Sequence, residues 1–455
     1  SSRFSSKDRW GFFPSASVGW RLSEESFLSS ARSWLSNLKV RYSYGNLGNQ
    51  QVGYYDYLRT INIGTQSYLF GDKLPSSASI SAPVSSNLTW ETVEHHNIGL
   101  DASFFNNRLT FTGEAYIRNT KDMLTAGISL PATYGTSSPR MNSADMQTKG
   151  YELSLGWQDM FKLAGKPFSY QVNLTFNDYT SEITKFNNPE KAFAKGYYEG
   201  MRIGEIWGYH IDGLFATDEE AASYEVDQRR VNDIINSSSG ALKGLHAGDL
   251  RFADLDGDNI ISTGENTVYN PGDRRIIGNS EPRYQYGANL AFQWYGFDFS
   301  VFFQGIGRMD WYPAHEAELF WGPFNRAYAT FLPKNFLEQC WSEENPNAYF
   351  PRPRAYVAYD NMGDQCRELT AKNDRYLQNI GYCRLKNLTV GYTLPKNWTR
   401  KAGIDMLRVY FSGENLACWS GIKTDYVDPE QARRGGDLKV YPWQKTFTFG
   451  INVNF

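Results

Sequence analysis

Between Asp254 and Glu265 the chain reads Asp-Leu-Asp-Gly-Asp-Asn-Ile-Ile-Ser-Thr-Gly-Glu, which sets carboxylates at positions 1, 3, 5 and 12 of the stretch. EF-hand loops use that spacing to wrap a hard divalent cation, which needs six to eight oxygens. The expected ligands are the side chains of Asp254, Asp256 and Asp258, the carbonyl of Ile260, Ser262 directly or through water, and a bidentate Glu265. Ca2+ is the natural guest. Position 6 is Asn259 rather than glycine, and asparagine also tolerates the left-handed backbone a sharp turn needs. Carboxylates this close repel one another without a counter-ion. The same stretch also reads as an acidic, Asx-rich surface turn. No nucleophile or base stands beside it, so an ion here would pin a loop and drive no reaction.

Other candidates are weaker. Trp311, Tyr312, Phe320, Trp321 and Phe324 form an aromatic group whose faces can stack on sugar rings or on apolar side chains of peptides, or pack against other protein. His95 and His96 adjoin, and His210, His246 and His315 are isolated, with no metal-ligand spacing among them. Pro351, Arg352, Pro353 and Arg354 alternate a locked ring with a guanidinium, which suits loop architecture better than an anion site. Cys340, Cys366, Cys383 and Cys418 show no CxxC pair, and a Cys340–Cys366 disulfide and unpaired thiols are both open readings. No order of Ser, His and Asp and no recognisable pair of acids argues for hydrolysis, so the chain reads as a non-enzyme.

The elements that must carry these residues are strands. Among 455 residues are 30 Tyr, 29 Phe, 13 Trp and 40 Gly, a bias toward strands and tight turns. From the last residue backwards, Phe455, Val453, Ile451, Phe449 and Phe447 alternate with Asn454, Asn452, Gly450, Thr448 and Thr446. Similar alternation starts at Ala16, Leu38, Ile98, Leu109, Tyr151, Tyr170, Leu388 and Leu407. Tyr286–Trp294 and Phe297–Phe303 read as a hairpin turning at Gly296. Each run approaches the roughly 9 to 11 residues of a tilted membrane-crossing strand, and no run of roughly 18 apolar residues exists for a helix span. Short turns alternate with long connections around 46–94, 178–282 and 305–377, lengths that point to function. Within the second, Asp218 to Ile235 is charged enough for a short helix. The net charge of −3 and the absence of a Lys/Arg run exclude a nucleic-acid partner.

Specific strings then narrow the class. Arg9-Trp10-Gly11-Phe12-Phe13-Pro14-Ser15 with Val18-Gly19-Trp20-Arg21-Leu22 resembles the SusC/RagA-like group of TonB-dependent transporters. The likeness continues in order through Arg41-Tyr42-Ser43-Tyr44-Gly45-Asn46-Leu47-Gly48-Asn49, Asn87-Leu88-Thr89-Trp90-Glu91, Asn97-Ile98-Gly99-Leu100-Asp101 and Lys149-Gly150-Tyr151-Glu152-Leu153. It extends to Ile277-Gly278-Asn279, Phe302-Phe303-Gln304-Gly305 and Leu385-Lys386-Asn387-Leu388-Thr389-Val390-Gly391-Tyr392, and so spans the chain.

What the resemblance implies is an all-β fold: residues 1–455 as the C-terminal portion of a 22-stranded transmembrane antiparallel barrel with long extracellular loops. The plug, TonB-box and first strands, with any export signal, are expected upstream of Ser1. The implied function is TonB-dependent import of a nutrient across the outer membrane, most often an oligosaccharide and in some members a peptide. A SusD-like surface lipoprotein is the implied lid, and outer-membrane lipid the implied surround. The competing readings are a passive porin and a soluble glycan-binding β-protein or hydrolase. In the soluble case the alternating Phe, Val and Leu rows would lie inside a compact core.

Overall fold

The computed structural model describes residues 3–455, apart from 86–87, 128–130, 132, 134, 136–137, 233–243, 326–329, 331, 355–357, 359–366 and 435–437. Asn87 and Cys366 therefore lie outside the described residues. The period-two runs become one eleven-stranded antiparallel sheet in which every strand neighbours the next in sequence. Its members are Ser15–Arg21, Leu35–Asn49, Glu91–Phe104, Leu109–Ala126, Arg140–Leu163, Lys166–Lys185, Arg283–Trp294, Phe297–Arg308, Tyr382–Thr393, Met406–Ser420 and Thr446–Asn454. Several outrun the roughly 9 to 11 residues of a membrane crossing. Arg140–Leu163, for example, has 24.

Connections alternate in length as expected. Tight turns join 104 to 109, 163 to 166 and 294 to 297, whereas the intervening links 49–91, 185–283, 308–382 and 420–446 are long. The turn between Trp294 and Phe297 needs positive φ at both central residues, and Tyr295 (50°) and Gly296 (89°) adopt it. A Cβ on Gly296 would also lie 2.7 Å from the Thr393 carbonyl.

The chain divides into two compact units, one of residues 1–106, 112–152 and 179–203, the other of 107–111, 153–178 and 204–455. In the first, strand register aligns Val18, Tyr42 and Ile98, and beside them Trp20, Val40 and Leu100. In the second, Tyr170, Phe292, Phe299, Val390, Phe411 and Phe449 form one continuous cross-strand row. Many of these side chains are exposed, with Phe449 at 81% and Ile98 at 56%. The row of opposite parity runs Gln171, Ala291, Ser300, Thr389, Ser412 and Thr448, polar but for Ala291.

The buried core lies elsewhere. In the second unit, Tyr209, Leu250, Phe252, Ile261, Phe320, Trp321, Phe324, Phe350, Leu369 and Tyr376 cluster in segments that connect the strands. Sheet rows exposed and connections packed is the reverse of a soluble β-sandwich, whose inner faces supply the core. A short helix, Asp218–Ala222, occupies the start of the charged segment, with the Thr217 hydroxyl accepting from the Glu220 N–H as its N-cap. No helix among the described residues is long and apolar enough to cross a membrane.

Candidate functional site

The polar face of the strands is charged and internally paired. In the first unit Arg41 donates to Asp101 at 3.1 Å and also to Glu114, whose second oxygen accepts from Asn97 at 2.7 Å. Arg41 can cross to both acids because Gly99 lies under it, where a Cβ would come within 2.6 Å of the guanidinium carbon. In the second unit Arg408 donates to Asp298 at 2.8 Å, and Arg283 donates to Asp178 at 2.6 Å. Alternation predicts polarity on this face. Pairing between strands comes only from register.

The aromatic group singled out from sequence is where the connecting segments pack. Trp321 and Phe324 are each 1% exposed, and Phe320 meets Trp321 edge-to-face with centroids 4.8 Å apart. Trp321 abuts Tyr376 at 5.5 Å, and its indole N–H donates to the Ala314 carbonyl. Tyr312 is half-buried and donates to the Leu369 carbonyl at 2.8 Å, while Trp311 packs on Phe320. With their ring faces covered by protein, Phe320, Trp321 and Phe324 offer no surface to a cargo or lid. The burial of these three side chains matches the packing alternative.

The Pro-Arg alternation is also architectural. Arg354 is buried, its guanidinium 3.1 Å from the Asp249 carboxylate. Cys340 lies in the same core, where burial pushes its thiol up to about 12. Cys366, its possible partner, is not among the described residues. His210 contacts Asp374 and His96 contacts Glu94, as polar side chains in ion-pair range.

At the acidic loop, Asp254 accepts from the Gly257 N–H at 2.7 Å and the Asn259 N–H at 2.9 Å, and Asp258 accepts from the Ile260 N–H. Asn259 has φ +62°, the left-handed turn its residue type allows. Ile260 sits opposite Asp227 in an isolated parallel bridge, which ties the loop to the preceding segment. The structure brings Asp254 and Asp256 together with Asp273, one carboxylate oxygen of each lying within 4.8 Å of the others. Asp258 and Glu265 stand outside that group, and the Ser262 hydroxyl accepts from the Gly264 N–H.

Asp273 was not visible in the twelve-residue spacing. It is fully buried, accepts from the Leu255 and Ser262 N–H groups at 2.7 Å each, and so fastens both ends of the loop. Burial raises its carboxyl above the usual range against those two hydrogen bonds, with Asp256 and Asp254 pushing the same way. Desolvation also acts upward on Asp254, but the backbone donors of Asn259, Gly257 and Asp258 outweigh it and hold that carboxyl low.

Exposed apolar rows backed by a paired polar face define a membrane-embedded strand protein with a structured set of loops. The chain belongs to the "TonB dependent receptor-like, beta-barrel" family, whose model matches residues 1–416. Proteins of this family are outer-membrane transporters, not enzymes. It is 29% identical to "TonB-dependent receptor P3" of Formosa agariphila, covering 100% of this chain and 43% of that protein. It is 27% identical to "TonB-dependent receptor SusC" of Bacteroides thetaiotaomicron, covering 100% of this chain and 41% of that protein. Its fold is similar to the RagAB peptide importer in the open-open state, with a TM-score of 0.69 at 22% identity over 100% of this chain and 44% of that one. The chain thus spans less than half the length of the relatives it matches.

Proposed function

We propose that this chain is the C-terminal part of the barrel of a SusC-type importer that draws a nutrient, an oligosaccharide, across the outer membrane. The exposure of the apolar strand rows carries the reading, because rows such as Tyr170–Phe292–Phe299–Val390–Phe411–Phe449 are stable only against lipid. Import is driven through TonB, which acts on the plug, and cargo is held beneath a SusD-like lipoprotein lid. The lid and the carbohydrate class are what the resemblance to the SusC/RagA-like group implies. Likeness in fold to a peptide importer makes peptide the second reading.

The decisive experiment is gentle co-purification of the full-length barrel with its lid, followed by mass spectrometry of what the pair retains. Retained oligosaccharide, with uptake lost when the proton-motive force is collapsed, is the expected result. Retained peptide moves the assignment to the second reading, and uptake indifferent to proton-motive force returns the protein to the passive porins.

The acidic loop belongs to this proposal as a structural Ca2+ site that pins a long connection. Asp254, Asp256 and Asp258, the Ile260 carbonyl, Ser262 and Glu265 are the donors by spacing, and Asp273 joins them by position. A hard cation suits a group that is all oxygen and carries more carboxylates than nearby cations.

A further inference from the structure

Four polar side chains from separate connecting segments of the second unit are buried with atoms that nothing among the described residues satisfies. Asp249, Glu368 and Asn232 are fully buried and Arg354 nearly so. Glu368 Oε2 accepts from the Leu250 N–H at 3.2 Å and from the Asn232 amide at 3.3 Å, while Arg354 faces Asp249. This leaves Asp249 Oδ1, Glu368 Oε1, Asn232 Oδ1 and both Nη1 and Nη2 of Arg354 buried without a hydrogen-bond partner among the described residues. Orphaned polar atoms in a low-dielectric interior are costly.

The charge count fails in the same place. Among the described residues two buried carboxylates stand near one buried guanidinium, which contacts only Asp249, and unpaired charge is poorly tolerated in such an interior. His246 and Arg352 also face Asp249, but both lie against Asp218, at 3.5 Å and 3.9 Å, so the surroundings bring little net positive charge. Among the described residues, Tyr376 is a further titratable neighbour of Glu368 and is neutral in this range. One added proton removes the surplus charge and turns an orphaned carboxylate oxygen into a donor for a neighbouring acceptor.

We propose that Asp249, Arg354 and Glu368 form a proton-set latch: with Glu368 protonated, the backbone positions that carry Asn232, Asp249, Arg354 and Glu368 are tied together, and losing that proton loosens them. Burial, reinforced by Asp249 and opposed by Arg354, pushes the Glu368 carboxyl up to about 8. Burial likewise lifts Asp249 to about 6 against the pull of Arg354. Glu368 is thus the proton holder at neutral pH. In opened loops it returns to an ordinary carboxyl near 4.5, so the closed state binds a proton that the open state lacks. The latch is therefore fully tight in acid and is lost as pH rises through about 8. One linked proton raises the opening constant by up to about tenfold per pH unit until it levels off.

The inference does not depend on the identity of the cargo. Its test is hydrogen exchange on the full-length transporter in detergent, corrected for intrinsic rates, in peptides covering residues 246–253 and 367–380. Opening of the wild-type segments is expected to rise at least about tenfold between pH 6 and 8. Glu368→Gln removes the proton holder and is expected to flatten that rise, whereas Asp249→Asn removes the neighbouring charge that reinforces burial and is expected to move the rise to lower pH. Combining them strands Arg354, and the segments are expected to be open across the whole range. A flat wild-type profile, or single variants that follow wild type, overturns the proposal. Should Glu368→Gln fail to fold, the profile of Asp249→Asn decides alone.

Discussion

The Asp298 carboxylate and the Arg408 guanidinium meet across an intervening strand, directly over Gly391. Arg408 Nε donates to Asp298 Oδ1 at 2.8 Å, and a Cβ on Gly391 would lie 2.5 Å from that oxygen and 2.6 Å from Arg408 Nη2. The glycine is what lets the pair close. Gly391→Leu is expected to separate the ions and overpack the face, costing about 1–3 kcal/mol. Asp298→Asn removes only a partly solvated ion pair and costs about 1 kcal/mol or less. Urea unfolding in lipid vesicles would rank the two. Equal midpoints would mean that Gly391 is not what the pair depends on.

The two faces of one strand should respond oppositely to charge. Val390 lies in the apolar row and is 39% exposed, while its neighbour Thr389 shares a hydroxyl hydrogen bond with Ser412 at 3.1 Å on the polar face. Val390→Arg places a cation against lipid and is expected to cost up to about 4 kcal/mol, depending on depth. Thr389→Lys points into the polar row and is expected to change stability by less than about 1 kcal/mol. Folding yield of each variant into vesicles distinguishes them, and equal tolerance would contradict the assignment of faces.

Strand positions were legible because period two separates faces that meet different solvents, so Val390 and Thr389 declare themselves without a fold. The tight link at 294–297 was legible from Gly296 alone, the residue type that such a turn needs. Ion pairing was not. Arg41 reaches Glu114 only through the register of three strands, and Arg354 reaches Asp249 only through loop folding. The aromatic group showed its composition but not its burial: nothing in the spacing of Phe320, Trp321 and Phe324 says whether a loop exposes them or packs on them. Asp273 escaped because it follows the twelve-residue motif and returns to it by a fold-back at Gly272, whose φ is +60°. The adjoining Pro271-Gly272 turn was the available signal.

The calcium assignment makes a sharp claim about composition. Wild-type protein purified without chelator is expected to carry about one Ca2+ at the acidic loop, and changing Asp256 and Asp258 together to Asn is expected to abolish it. Asp273→Asn tests what the fold adds, since Asp273 also holds the Leu255 and Ser262 N–H groups. Its loss is expected to weaken binding by about tenfold or more. Atomic emission on the purified variants reads the result. Unchanged metal content in the Asp256 and Asp258 variant returns the stretch to an Asx-rich turn.

Trp321 gives the last prediction, because it separates a packing role from a binding one. Its ring is covered by Phe320, Tyr312 and Tyr376, and its N–H is spent on Ala314. Trp321→Ala should therefore open a cavity in the connecting segments and cost them about 3–5 kcal/mol. The strands lie outside this aromatic core, so the sheet should survive. Protease cleavage within residues 305–377 is expected to accelerate while the strands stay resistant and the variant still inserts into membranes. Trp321→Phe, which keeps most of the ring, should recover much of the protection. If Trp321→Ala left protease resistance intact and weakened only cargo binding, Trp321 would have to face the cargo in another arrangement of the loops, and the packing role argued from its burial would fail.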